Sequence, residues 1–224
     1  DHCDYRNVDG IMIMNPVPGD AEVLSLADCG RPCVSANEPI PGICTVVTDN
    51  VEGAKIAVQH LIDLGHRKIA HISGPRKITA PAAEERYKGY LECLAANGIA
   101  RDESLIEESA FWHSDAGFEA TNRLYSRNPG FTAIFAANDT LAYGAKLALD
   151  RHSLSVPGDV SLIGFDGDEL ADIMTPRLTT MWQNREEIGS IAASMLLKRF
   201  SGEKLPEIIK IPSKLLVRDS CRKI

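Results

Sequence analysis

The sequence predicts an α/β fold of two lobes, each a parallel, doubly wound sheet flanked by helices, with crossover strands joining them. Three observations point to it. Short apolar runs recur about every thirty residues with amphipathic segments between them, which is the rhythm of βαβ units. Some of these runs stop on a hydrogen-bonding side chain and turn straight into a helix, most plainly at 132–139, Thr-Ala-Ile-Phe-Ala-Ala-Asn-Asp. After Asp166 the rhythm changes and extended segments replace the alternation, so the chain turns from one group of units to another.

Taken in order, residues 8–14 read as a strand that exits at Asn15-Pro16. A helix over 20–29 turns Leu24, Leu26 and Ala27 inward and is closed by Gly30. Strands at 33–36 and 44–48 follow, separated by a loop with Pro39, Pro41 and Gly42. The helix over 53–64 is the clearest. Ile56, Ala57, His60, Leu61 and Leu64 recur at three-four spacing, and Gly65 supplies the stop. Strands at 68–73, 105–108, 133–137 and 160–165 then alternate with helices at 83–97, 115–126 and 140–151. Beyond Asp166, residues 176–183 and 207–218 are extended around a helix over 186–200. That helix carries Ile188, Ala192, Met195, Leu196 and Phe200 on one face, and Pro212 marks an edge or crossover. Residues 1–50 with 184–211 are assigned to the first lobe and 51–183 to the second, leaving 212–224 as a C-terminal crossover segment and tail.

Composition narrows the function. At 224 residues there is ample material for a core, and 44% apolar with 25% charged residues is ordinary for a globular chain. A net charge of -7 argues against this segment gripping phosphates directly. Six cysteines show no metal-type grouping: Cys29 and Cys33 lie four apart, but no second pair repeats the spacing. They read as reduced thiols of a cytosolic protein. His60, His66, His71 and His152 have no metal spacing either, and His60 sits on an apolar face. No apolar run approaches the roughly 20 residues that span a bilayer, and the first residues are not those of a signal peptide. No nucleophile elbow, metal triad, phosphate loop or dinucleotide fingerprint occurs, so neither catalysis nor a cofactor is expected. In open α/β sheets ligands bind beyond the carboxyl ends of the strands. Asn37, Asn138 and Asp166 stand at such ends, which suggests one polar pocket.

Several motifs taken together resemble one family. They are Val8-Asp-Gly-Ile-Met-Ile, Asp49-Asn-Val-Glu-Gly-Ala, His60-Leu-Ile-Asp-Leu-Gly-His-Arg-Lys-Ile-Ala and Ile72-Ser-Gly-Pro, then Arg86-Tyr-Lys-Gly-Tyr. Phe131-Thr-Ala-Ile-Phe-Ala-Ala-Asn-Asp, Val156-Pro-Gly-Asp-Val-Ser-Leu-Ile-Gly-Phe-Asp, Pro176-Arg-Leu-Thr-Thr and Leu216-Val-Arg-Asp-Ser complete the series. In this order they resemble the effector-binding core of the lactose-repressor/galactose-repressor family of bacterial transcription regulators, which has the type I periplasmic-binding-protein fold.

The resemblance implies ligand contacts from Arg86, Trp112, Asn138, Asp166, Gln183 and Asn37, with Asn15 and Asp49 near the cleft or hinge. Phe111 is the substitute for Trp112 as the ring that packs on a ligand. Arg86 and Asp166 together could hold a vicinal diol between a donor and an acceptor. The competing readings are a surface Arg86 paired with Glu84 or Glu85, and Asp166 as N-cap of a following helix. Asn138 is read as the contact and Asp139 as scaffold, while Gln183 and Asn37 are assigned to first-lobe strands. Ala80 and Ala82 stand where relatives often carry hydroxyls.

The implied protein is a cytoplasmic, ligand-responsive regulator without cofactor or metal. Its effector is a small polar molecule, a sugar or sugar derivative, with a purine or nucleoside as the alternative. It acts on operator DNA through an N-terminal helix-turn-helix domain, as a homodimer at full length and without membrane contact. The family's domain has two further strand–helix units before the segment matching residues 8–14, so the first lobe is expected to be incomplete. The other functional reading is a periplasmic or secreted sugar-binding protein for transport.

Overall fold

A strand covered on both faces must be apolar at both alternating positions, and the central strands of this chain meet that condition. The computed structural model describes residues 7–16, 21–26, 29–76, 81–127 and 130–224. In chain order the elements begin with β1 (Ile11–Met14), α1 (Ala21–Ser25), β2 (Cys33–Ala36), β3 (Cys44–Thr48) and α2 (Asn50–Asp63). They continue with β4 (Ile69–Ser73), α3 (Pro81–Ala96), β5 (Ile106–Glu108), α4 (Ser114–Ser126), β6 (Ala133–Ala136) and α5 (Asp139–Arg151). The last are β7 (Ser161–Asp166), α6 (Glu169–Ile173), β8 (Thr179–Trp182), α7 (Arg185–Phe200), β9 (Ile208–Ile211) and β10 (Lys214–Leu216). The α/β class is as the sequence predicts, and so is the order of strands and helices up to Asp166; beyond it α6 is an added helix, and the extended stretch 207–218 is two strands, β9 and β10, in different sheets.

The chain divides into two units, with its main crossings at Asp49–Asn50, Gln183–Asn184 and Ile211–Pro212; Pro81, which opens α3, is also grouped with the first unit. The first unit holds a four-stranded sheet in the order β1-β2-β3-β9, every pair parallel. Val34, Ala36, Val46 and Ile211 pack under Ile188, Ala192 and Met195 of α7, while Cys33, Ile40, Ile43 and Leu26 form a second cluster.

The second unit holds six strands in the order β10-β8-β7-β6-β4-β5. Its alternation is visible residue by residue. Ile134 and Ala136 of β6 and Leu162 of β7 join the cluster that takes in Leu141 and Ala145 of α5 and Leu124 of α4. Ala133, Phe135, Ile163 and Phe165 join the cluster of α2 and α3, with Leu61 and Tyr90. Helices thus cover both faces of the sheet. It is not wholly parallel, however: β10 runs antiparallel to β8 as an edge strand. Residues 212–224, expected as a separate crossover segment and tail, are part of this unit. The cause is a set of polar ties: Ile224 N–H donates to the Leu64 carbonyl, and Ser220 Oγ donates to the Leu162 carbonyl. The buried His66 ring bonds to Thr132, Ser161 and the Arg222 carbonyl.

Three core assignments change. Leu24 is exposed because Val23 of the five-residue α1 and Leu26, just past its end, turn inward instead, at i and i+3. Ile56 is also exposed. The buried stripe of α2 runs through Gly53, Ala54, Ala57, Val58, Leu61 and Ile62, because the helix approaches the sheet through its small residues. A Cβ on Gly53 would lie 2.8 Å from the Phe165 ring. Phe200, at the end of α7, is half-exposed and lies against Gly10. No helix among the described residues is long and apolar enough to cross a membrane.

Candidate functional site

The five parallel strands of the second unit end on one edge of the sheet, and the polar side chains there are bonded to one another. Arg86, on α3, is 5% exposed, so the surface reading fails. Its Nε donates to Asn50 Oδ1 at 2.9 Å, and its Nη1 donates to the Ala137 carbonyl at 2.6 Å. Nη1 also lies 3.1 Å from Asp166 Oδ1. Beneath the guanidinium is the Phe165 ring, 3.8 Å from Cζ to centroid. A guanidinium has five N–H donors. Those on Nε and Nη1 are committed to the protein, which leaves the pair on Nη2 as the donors toward a ligand.

Asp166 ends β7 and does not cap the next helix; Asp168 is the N-cap of α6. Its Oδ1 accepts from Arg86 and also from Gln183 Nε2. Gln183, matched from sequence to a first-lobe strand although it lies inside the 51–183 range given to the second lobe, belongs to the second unit, just past β8. Its backbone N–H donates to the Asp166 carbonyl, which fixes the side chain beside the carboxylate.

Asn138 is buried and caps α5: its Oδ1 accepts from the Leu141 N–H at 2.7 Å. Among the described residues that is its only side-chain bond, so the amide Nδ2 is the end left for a ligand. Asp139 is wholly buried; it accepts from Thr180 Oγ1 and from the Asp168 N–H, and so ties α5 to the ends of β7 and β8. Burial raises its carboxyl from 3.8 to about 7 against the opposing effect of the Thr180 bond. A Cβ on Gly164 would stand 2.3 Å from its Oδ1, so that glycine is required for the carboxylate to fit.

Trp112 is half-buried, packed on the α4–α5 cluster, with Arg86 Cζ 5.9 Å from its ring centroid. The indole lies directly on Gly74, past the end of β4, where a Cβ would come within 2.4 Å of it. Phe111 is 62% exposed and stacks on His113, so it does not substitute for Trp112 in this arrangement. Ala82 is half-buried on α3, and Ala80 lies outside the described residues.

The candidates of the first unit form a smaller set. Asn37 Nδ2 donates to Asn15 Oδ1 at 2.7 Å. Asp49 faces Lys210 at 3.6 Å and donates its N–H to the Ile211 carbonyl, which ties β3 to β9. Its neighbour Asn50, which the sequence reading passed over, is the buried anchor of Arg86 and also donates to Glu85. An amide beside a carboxylate at a strand-to-helix junction was the available signal.

Backbone geometry singles out the same positions. Among the described residues, four non-glycines have positive φ: Asn15 (49°), Asn37 (75°), Asp166 (113°) and Ser153 (59°). Three of the four stand at the carboxyl ends of parallel strands. Asn tolerates the left-handed region, but an aspartate at φ 113° lies outside it and is strained. Strain of this kind persists where surrounding bonds over-determine the residue. Among the described residues no group of three or more His, Cys, Asp or Glu could hold a metal. A groove of about 610 Å³ between α2, α3 and β10, lined by Lys55, Gln59, His60 and Cys93 among others, includes none of these strand-end residues.

Comparison with known proteins gives this arrangement a family. Residues 58–221 match the model of the periplasmic binding protein-like domain. The chain is 33% identical over 220 residues to the HTH-type transcriptional regulator CelR of Thermobifida fusca, covering 96% of this chain and 64% of the relative. A solved complex of transcriptional regulator CelR with cellobiose superposes with a TM-score of 0.86 at 32% identity, covering 96% of this chain and 66% of that one. A LacI-family transcriptional regulator from Enterococcus faecium with bound ribose gives 0.85 at 30% identity, covering 98% and 82%. The chain thus spans just under two thirds of the length of the curated CelR it matches. These relatives are transcriptional regulators. The chain belongs to the lactose-repressor/galactose-repressor family of transcriptional regulators, of which it carries the periplasmic binding protein-like, effector-binding domain.

Proposed function

We propose that this domain senses a small polyhydroxylated effector, a sugar or sugar derivative, through Arg86, Asp166, Gln183, Trp112 and Asn138. The observation that carries the reading is the buried Arg86–Asp166 pair beside a half-buried indole. The two Nη2 donors and a fixed carboxylate suit adjacent hydroxyls, and the indole suits the C–H face of a sugar ring. Asn138 adds an amide donor, and Asn15 and Asn37 are carried as further candidates on the sequence resemblance alone. Relatives solved with cellobiose and with ribose support a sugar over a purine or nucleoside. The effector biases a two-state equilibrium of the domain, and the bias reaches operator DNA through a helix-turn-helix domain in a cytoplasmic homodimer.

The test is a thermal-shift and calorimetric screen of cellobiose, ribose, other mono- and disaccharides, purines and nucleosides. A saccharide that raises the unfolding midpoint of the wild type, with the rise lost in Arg86→Ala and in Asp166→Ala, is the expected result. Equal binding by wild type and both variants would remove the site assignment. A response confined to purines or nucleosides would move the effector class.

A further inference from the structure

Cys29 and Cys33 have no metal partners in the sequence, but they meet in the first unit. Cys29 lies past the end of α1 and Cys33 opens β2, with their sulfurs 3.6 Å apart. Gly30, at φ 71°, turns the chain between them. Both are free thiols, Cys33 buried and Cys29 partly exposed. Cys33 Sγ lies 3.4 Å from the carbonyls of Leu26 and Arg31, on the side chain's inner wall. A disulfide needs the sulfurs at about 2.05 Å, so closing the pair requires about 1.5 Å of side-chain movement.

We propose that Cys29 and Cys33 form a thiol–disulfide exchange site whose co-reactant is a low-molecular-weight disulfide of the glutathione type. The exposed Cys29 reacts first. Its thiolate attacks one sulfur of the co-reactant, forming a mixed disulfide as the small S–S bond breaks and one small thiolate leaves. Cys33 then attacks the Cys29 sulfur; the intramolecular disulfide forms and the second small thiolate leaves. Two cysteine sulfurs are oxidised, one small disulfide is reduced to two thiols, and the two cysteine protons end on those thiols.

The order of attack follows from the surroundings. Burial, and then the neighbouring Cys29 sulfur, push the Cys33 thiol up to about 12, with Arg199 of α7 opposing. Cys33 is therefore a poor first nucleophile. Once Cys29 is in a mixed disulfide, its thiol no longer contributes to that rise; burial still holds the Cys33 thiol up, and it is the 3.6 Å proximity of its sulfur to Cys29 that makes it the resolving group.

The experiment incubates the purified chain with oxidised glutathione, quenches with acid, alkylates with a maleimide and maps the cysteines by mass spectrometry. In the wild type, the peptide carrying both residues loses two hydrogens and takes no maleimide. Cys29 is consumed roughly tenfold faster than Cys93, which is buried and whose thiol burial pushes up to about 11, because reactivity follows exposure and thiolate access. Cys33→Ser, or Cys33→Ala should the serine unfold the unit, accumulates a stable glutathione adduct on Cys29. Cys29→Ser leaves Cys33 unmodified. A wild-type adduct on Cys29 that never resolves would overturn the proposal, and so would consumption of Cys29 no faster than the buried Cys93.

Discussion

The two units carry their candidate contacts on the same structural device but with different chemistry. In the second unit, the residues ending β7 and β8 join Arg86 in a charged, hydrogen-bonded chain that runs Asn50, Arg86, Asp166, Gln183. In the first, the residues after β1 and β2 make a single neutral amide bond, Asn37 to Asn15. Both sets use left-handed backbone at strand ends. The difference teaches where the proposed site would hold its specificity. A buried ion pair fixes geometry and is costly to disturb, whereas an exposed amide pair is adaptable and inexpensive to alter.

The largest expected effect comes from breaking the charged chain. Asp166→Ala leaves Arg86 buried without its counter-charge, which costs about 3–5 kcal/mol of stability. A fall in the urea midpoint at unchanged slope is the measurement, and a loss under about 1 kcal/mol would place the pair among solvent-screened ones. Asp166→Gly separates strain from charge, because it removes both the carboxylate and the penalty of φ 113°. It should therefore cost less than Asp166→Ala.

Next in size is Gly74→Ala. A methyl group there overlaps the indole of Trp112, so the ring must move and effector affinity should fall roughly tenfold or more, with the fold retained. The intrinsic fluorescence of Trp112, isolated in a Trp182→Phe background, reports the displacement. An unchanged spectrum and affinity would show that the ring is not the packing surface.

Buried titratable groups of the second unit give a pH signature of intermediate size. Asp139, raised by burial from 3.8 to about 7, holds its proton in the folded state across that interval while the unfolded chain releases it. Its contribution is complete below about pH 4 and is lost as pH rises toward 7. His71 is lowered by burial from 6.5 to about 3, so its contribution is complete above 6.5 and is lost as pH falls toward 3. His60 and His66, also lowered by burial, add to that acid limb. Urea titrations at half-unit steps should show Asp139→Asn losing the decline toward neutrality. His71→Phe should lose part of the decline toward acid. A parallel offset at all pH values would assign these residues no titrating role.

The smallest effect is expected in the first unit. Asn37→Ala removes one exposed amide bond, worth about 0.5–1.5 kcal/mol. It also removes the residue type that tolerates φ 75°, so Asn37→Gly should recover part of the loss. If Asn37→Ala weakens effector binding as much as Asp166→Ala, the contrast between the two sets fails.

Much of this was legible in the sequence because strand ends are marked by composition. An apolar run followed by Asn138-Asp139, or ending on Asp166, gives both the strand and the edge where a ligand is read. The division of labour between Asn138 and Asp139 was only half visible. Asp139 is the scaffold expected of it, but Asn138 Oδ1 is itself committed to the helix cap. What stayed hidden depended on rotation and register. Whether Asp49 or Asn50 turns toward Arg86 depends on where α2 begins. Which face of α2 is buried depended on Gly53 and Ala54 permitting close approach, and periodicity alone favoured Ile56. Gln183 fell inside the range given to the second lobe but was matched to a first-lobe strand, because a residue beside a crossing point between units has no compositional mark.

The self-contained pairing of Arg86 with Asp166 also bears on ionic strength. A neutral polyol that adds hydrogen bonds to the Nη2 donors neither creates nor removes net charge at the site. Its affinity should therefore vary little with added salt. An anionic analogue meets a guanidinium already compensated from within, on a chain of net charge -7. At the proposed site, the built-in counter-ion would thus act as a filter that favours uncharged ligands over charged ones of the same shape.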